Sequence, residues 1–120
     1  MAKHNQLGED GEHLALIYLK QKGYEIFETN WREQKFEIDI IAADKNEIVF
    51  IEVKTRSTDF FGAPEEAVTI KKQQHLIEGA DYYINKNEID LECRFDVIAI
   101  VLNENKQDIN HIINAFYPEV

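Results

Sequence analysis

One cysteine, Cys93, in 120 residues excludes an intrachain disulfide and a cysteine-rich zinc site. The histidines, His4, His13, His75 and His111, show no H-x-x-x-H or other ligand spacing, so a zinc enzyme is not expected. No apolar run approaches the roughly 18–20 residues that span a bilayer. Met1 to Asp10 is polar and holds no signal-peptide core, so no membrane association is expected and a cytoplasmic location is the default. Internal repeats, a phosphate-cradling glycine loop and a serine nucleophile motif are also missing. Positive charge is scarce: 13 Lys+Arg against 23 Asp+Glu give a net −10. Such a balance disfavours non-specific adhesion to nucleic acid, which rests on Lys and Arg at the phosphates.

What is present fits one globular domain over residues 1–120. A hydrophobic fraction of 44% with 11% aromatics is enough for a single core at this length. The acidic excess is uneven, with nine acids against three bases from Glu78 onward and fourteen against ten before it. Most Lys and Arg lie between Arg32 and Lys72. A solvated acidic surface that aids solubility accounts for the total, but not for acids placed inside strands.

Those acids lie in Phe36 to Arg56, FEIDIIAADKNEIVFIEVKTR. Phe36 to Ile40 alternates apolar and acidic residues, and Ile48 to Thr55 is rich in β-branched ones, both signs of strand. Asp44-Lys45-Asn46-Glu47 supplies turn chemistry. A tight antiparallel hairpin there sets Asp39 opposite Glu52 and Glu37 opposite Lys54, all four on one face. Like charges directly opposed in a sheet are destabilising. A divalent cation turns that repulsion into coordination, because Mg²⁺ takes one or two carboxylates plus waters and phosphate. With Lys54 beside them, these groups are the minimum equipment for metal-assisted phosphodiester hydrolysis.

Glu37-Ile38-Asp39 followed by Glu52-Val53-Lys54 resembles the core of the restriction-endonuclease-like PD-(D/E)xK nuclease superfamily. Within it the chain is similar to the YraN-like family of predicted bacterial endonucleases, related to archaeal Holliday junction resolvases. The resemblance covers nearly the whole chain: Gly11-Glu12 with Ala15, Gly23-Tyr24, Asn30 with Arg32, Val49 to Lys54 with Arg56, Phe61-Gly62, Lys72-Gln73 and Arg94 to Val97. The family usually has glycine before its first acid, where this chain has Phe36. The resemblance implies a Mg²⁺- or Mn²⁺-dependent nuclease, with Asp39 and Glu52 as metal ligands, Glu12 and Glu37 assisting, and Lys54 and Gln73 completing the catalytic set. It also implies DNA, branched forms included, as partner and, by analogy with junction-cleaving relatives, a homodimer.

Along the rest of the chain, Asn5 to Lys22 reads as a helix with a Leu7, Gly11, Leu14, Ala15, Tyr18 stripe, and Glu12 at its edge. An edge acid reaches around toward a sheet; the alternative is an exposed helix glutamate. Tyr24 to Trp31 reads as a strand with Tyr24, Ile26 and Phe27 inward, and Trp31 as packing rather than a base-stacking platform. Arg56 to Pro64 reads as a loop whose Phe60 and Phe61 anchor on the core or on a dimer partner. Thr69 to Lys86 reads as a helix capped by Thr69, with Ile70, Gln73, Ile77, Ala80 and Ile84 inward. Gln73 is either an organiser of the site or a satisfied structural amide. Arg94 to Leu102 reads as a central strand, with Asp96 paired to a neighbour such as Arg94 or acting behind the site. Ile109 to Phe116 reads as an edge strand.

The order helix, three strands, helix, two strands gives a mixed α/β domain, and the resemblance makes its sheet restriction-endonuclease-like with two main flanking helices. Three functions remain open. The first is an endonuclease acting on branched or damaged DNA, using Asp39, Glu52, Lys54, Glu12 and Gln73, with Arg32, Arg56 and Lys72 on phosphates. The second is a catalytically weak or inactive nucleic-acid- or protein-binding module on the same fold. The third is an acidic structural protein.

Overall fold

The computed structural model describes residues 2–58 and 68–118, with side chains described from residue 6 onward; Phe60 and Phe61 lie outside this set. Helix α1 (Ala2–Gln21) is followed by strands β1 (Glu25–Glu33), β2 (Phe36–Asp44) and β3 (Glu47–Arg56), then helix α2 (Ile70–Lys86) and strands β4 (Glu92–Asn103) and β5 (Lys106–Phe116). The expected mixed α/β class and element order are borne out. The strands form one sheet in the order β1-β2-β3-β4-β5. Neighbours are antiparallel except β3 and β4. A parallel pair needs a crossover, and α2 lies on that crossover. The β2–β3 turn is Lys45-Asn46, closed by the Asp44↔Glu47 pair, and Lys45 adopts φ 58.

The sheet is covered on both faces. On one, Ala15 and Leu19 of α1 pack with Ile40, Ala42, Val49, Ile51, Ile98 and Ile100. On the other, Leu76, Ala80 and Tyr83 of α2 pack with Trp31, Ile38, Ile41, Phe50, Phe95 and Phe116. Trp31 packs edge-on against Tyr83 with ring centroids 5.3 Å apart, which is the packing role expected of it.

Several faces differ from expectation. The buried line of α1 is Gly11, Ala15, Leu19, a rotation that brings Glu12 toward the sheet. The buried line of α2 is Leu76, Gly79, Ala80, Tyr83, and Ile70 is 76% exposed. Tyr83 spends its ring on the core and its hydroxyl on Glu28 Oε2 at 3.1 Å, so a residue outside the expected inward line directs the helix face. Phe27 is exposed rather than inward. At Gly79, Phe36 and Ile38 approach so closely that an added Cβ would lie 3.3 Å from Phe36 Cβ and 3.4 Å from Ile38 Cδ1. Phe36 is thus a packing residue beneath α2.

At the turn end of the hairpin a polar cluster holds β4 and β5 to the sheet. Asp96, fully buried, accepts from Arg94 Nε and Nη2 at 2.9 Å each and from the Asn114 amide at 3.1 Å. His111 Nε2 lies 2.7 Å from its Oδ2; a carboxylate only accepts, so that nitrogen carries the hydrogen and Nδ1 faces the Tyr18 hydroxyl at 3.0 Å. Burial alone would push the Asp96 carboxyl up, but the bonds from His111, Arg94 and Asn114 together hold it below the ordinary range. Arg94 also reaches Asp44, Glu47 and the Tyr24 hydroxyl. The expected Arg94–Asp96 pair is present.

Gly11 marks where α1 touches β3. An added Cβ would fall 1.8 Å from Thr55 Oγ1, far inside contact distance. Alanine's helix propensity favours it by up to roughly 1 kcal/mol, yet overpacking costs about 1–3 kcal/mol or more. Gly11→Ala is therefore expected to lower the urea midpoint, while Gly8→Ala, with no atom within 4 Å of the added Cβ, leaves it unchanged or raises it.

Candidate active site

The hairpin pairs as expected from Asp44↔Glu47 through Ile40↔Ile51, and there its ladder ends. Beyond it the Val53 amide donates to Asp39 Oδ2 at 2.8 Å, so a side chain replaces the next strand-to-strand bond. The reason lies in the pleat. Residues two apart on a regular strand share a face, but Ile38 packs on the α2 side and Ile40 on the α1 side. Strand β2 therefore switches faces at Asp39. Across from it, between the pairs Thr29↔Ile40 and Trp31↔Ile38, Asn30 adopts φ 50. Asparagine tolerates this left-handed region better than most residues, so β1 turns with its neighbour. Two adjacent strands bend at one level, and β2 and β3 part with Asp39 in the gap.

Glu52, Lys54 and Lys72 gather beside that gap. Glu52 and Phe50 lie two apart on β3, and Phe50 belongs to the α2-side cluster. Lys72, in the first turn of α2, places Nζ 3.6 Å from Glu52 Oε2, whose side chain is only 6% exposed. Burial and the Asp39 charge push the Glu52 carboxyl up to about 7, against the lowering pull of Lys72 and Lys54. Burial likewise raises Asp39, opposed by the Val53 amide, a hydrogen bond with Glu52 and Lys72. Burial thus drives both neighbouring carboxyls up. Glu12 approaches from the α1 side: burial and Asp39 raise its carboxyl, with Asn30 lowering it. Asp39, seated where the strand changes faces, is the group that senses both sides.

The other candidates are placed less centrally. Phe36 and Ile38 face α2 at Gly79, so Glu37 points to the opposite side from Glu52 and Lys54, and the single face expected for all four residues is corrected by the switch at Asp39. Glu37 instead pairs with Arg32 at 3.1 Å on the exposed surface. Gln73 donates from Nε2 to the Val68 carbonyl at 3.1 Å, a satisfied amide that pins the chain entering α2. Arg56 ends β3, partly exposed. Sequence reasoning placed Lys72 among phosphate contacts and missed its pairing with Glu52. Asn30 enters the sequence reading only as part of the resemblance, with no role given to it; its left-handed backbone and its lowering effect on Glu12 come from the structure.

The donor set fits a hard dication. Among the described residues no group of three or more His, Cys, Asp or Glu is arranged to hold a metal ion. Asp39 and Glu52 are the two neighbouring carboxylates that could hold one, since Mg²⁺ takes one or two carboxylates with waters and phosphate rather than a closed protein cage. Among the described residues no helix is long and apolar enough to cross a membrane.

Comparison with known proteins finds relatives along nearly the whole chain. Residues 11–100 match the family described as Uncharacterised protein family UPF0102, a span that includes Glu12, Asp39, Glu52, Lys54 and Lys72. The chain is 49% identical over 117 residues to a UPF0102 protein of Christiangramia forsetii, covering 98% of each chain. It is 47% identical over 118 residues to one from Bacteroides thetaiotaomicron, again covering 98% of each. A UPF0102 protein of Porphyromonas gingivalis is 45% identical over 118 residues, covering 97% of this chain and 87% of its own length.

The raised Glu52 carboxyl makes stability pH-dependent. The folded protein holds this proton more tightly than the unfolded chain does, so the Glu52 contribution falls as pH climbs from 4.5 to about 7 and is flat above. Glu52→Gln lacks that loss. In urea denaturation without divalent ions, the variant's stability relative to wild type is expected to increase across this window, by at most about 3 kcal/mol. A relative gain for wild type instead would show that the acids do not repel.

Proposed function

We propose that this chain, which belongs to the UPF0102 family, is a divalent-metal-dependent endonuclease that hydrolyses DNA phosphodiester bonds, branched DNA included. The observation that carries the proposal is the buried Asp39–Glu52 pair beside two lysines, where β2 and β3 part. Its placement agrees with the resemblance to restriction-endonuclease-like nucleases. It also suits the tendency of ligands in α/β sheets to bind beyond the carboxyl ends of parallel strands, since Glu52 and Lys54 lie toward that end of β3.

Asp39 and Glu52 would hold Mg²⁺ or Mn²⁺, with Glu12 alongside. When bound, such an ion polarises the phosphate and makes a nearby water a better nucleophile. Asp39 is fixed for this task by the Val53 amide, and Glu52 by the stiff, doubly covered strand that carries it. Lys54, two residues along β3, would set its ammonium against the charge that develops on the phosphate. Arg32 would meet the DNA backbone, since an exposed pair such as Arg32–Glu37 contributes little and exchanges easily. Arg56 and Lys72 would act likewise, and a homodimer would present two such sites to a junction.

The net −10 charge and the two-carboxylate seat favour one further reading, a nucleic-acid- or protein-binding module with weak or no turnover. Purified protein is incubated with linear, supercoiled and four-way-junction DNA in Mn²⁺. Cleavage is expected, reduced by about 100-fold or more in Asp39→Asn and in Lys54→Ala, a loss typical of removing an electrostatic group. Equal cleavage by wild type and variants would expose a contaminant and sink the nuclease reading. Salt-sensitive binding without cleavage would establish the module.

A further inference from the structure

Lys72 does not pair with Glu52 as the buried Arg94 pairs with its acid. Arg94 grips Asp96 with two hydrogen bonds of 2.9 Å. Lys72 Nζ stands 3.6 Å from Glu52 Oε2, beyond hydrogen-bond length, so charge attraction holds it without a directional bond. Its side chain is 40% exposed, against 6% for Glu52, leaving the ammonium a path to water. The backbone below is fixed, because Thr69 Oγ1 accepts from the Lys72 amide at 3.1 Å. Any movement therefore belongs to the long, flexible side chain, and a lysine ammonium is a mobile point charge.

The geometry points to Lys72 as a built-in counter-ion of the carboxylate seat: it offsets part of the charge of Asp39 and Glu52 between loadings, and a dication must displace it. This deepens the reading above and rests on it. Lys54 is not equivalent, since it is borne on the same strand as Glu52 and belongs to the catalytic set. Lys72 comes from another element and can withdraw without disturbing the sheet. Displacement frees its charge for a phosphate, so one side chain would serve the acids before loading and the DNA after it.

Like charges compete for one seat, so removing the lysine charge should tighten dication binding. Mn²⁺ is titrated calorimetrically into wild type, Lys72→Met and Lys71→Met, without DNA; Lys71 is exposed on the same turn and removes equal charge from the helix. Expected is Mn²⁺ affinity about tenfold higher in Lys72→Met, with Lys71→Met close to wild type. Should Lys72→Met not fold, Lys72→Gln is read by the same criteria. Wild type binding Mn²⁺ with Lys72→Met equal or weaker would overturn the counter-ion role and leave the metal site standing. Tightening of similar size in Lys71→Met would overturn it too, as a general charge effect. No Mn²⁺ binding by any of the proteins would remove the metal site itself, and the inference with it.

Discussion

The bond from the Val53 amide to Asp39 Oδ2 is the constraint on which the site depends. A buried strand amide needs an acceptor. Where β2 and β3 separate, the usual acceptor, a carbonyl on the partner strand, is replaced by a carboxylate. That substitution lets the strands diverge without leaving an unpaired donor, and it locks one acid at the mouth of the gap. The left-handed Asn30 on the adjacent strand lets β1 follow the same bend. Backbone irregularity and acid placement are thus one feature, in keeping with the tendency of unusual backbone to accumulate where function is.

The protein treats its buried acids in two ways. Asp96 is surrounded by donors from Arg94, His111 and Asn114 and is held charged; such a fully satisfied network pins strands together. Asp39 and Glu52 lie together with fewer donors, and their carboxyls are driven up. Buried acids driven up by burial and by a neighbouring charge make this pair a candidate functional site. The two clusters also separate along the sheet. Arg94 gathers Asp44 and Glu47 at the hairpin turn, while the lysines gather at the opposite end of β3.

This separation lets the acidic total coexist with the nucleic-acid substrate proposed above. Net charge describes the far field, which salt screens within roughly 10 Å, whereas a phosphate at the site would meet Lys54 and Lys72 first. The cost falls on association: an acidic chain is not steered toward DNA from a distance. Selection for an unusual DNA form, rather than for duplex in general, is compatible with that weak long-range attraction.

Much of the protein was legible in its sequence because the signals are local. Alternation and β-branching marked the strands, Thr69 marked the start of α2, and Lys45-Asn46 fixed the register from Asp44↔Glu47 to Ile40↔Ile51, one pair short of Asp39 and Glu52. What the sequence could not reveal depends on non-neighbours. The burial of Tyr83 rather than Ile70 follows from which sheet residues α2 meets, and Gln73 is spent on Val68 because the chain returns there. Ideal alternation put Glu37 with the other acids, but the break in alternation at Asp39 changes which side each residue faces. Residue types and spacing determined that a charge conflict exists; only the tertiary bend, enforced by the need to satisfy one buried amide, decided which acids share it and that Lys72 stands beside them.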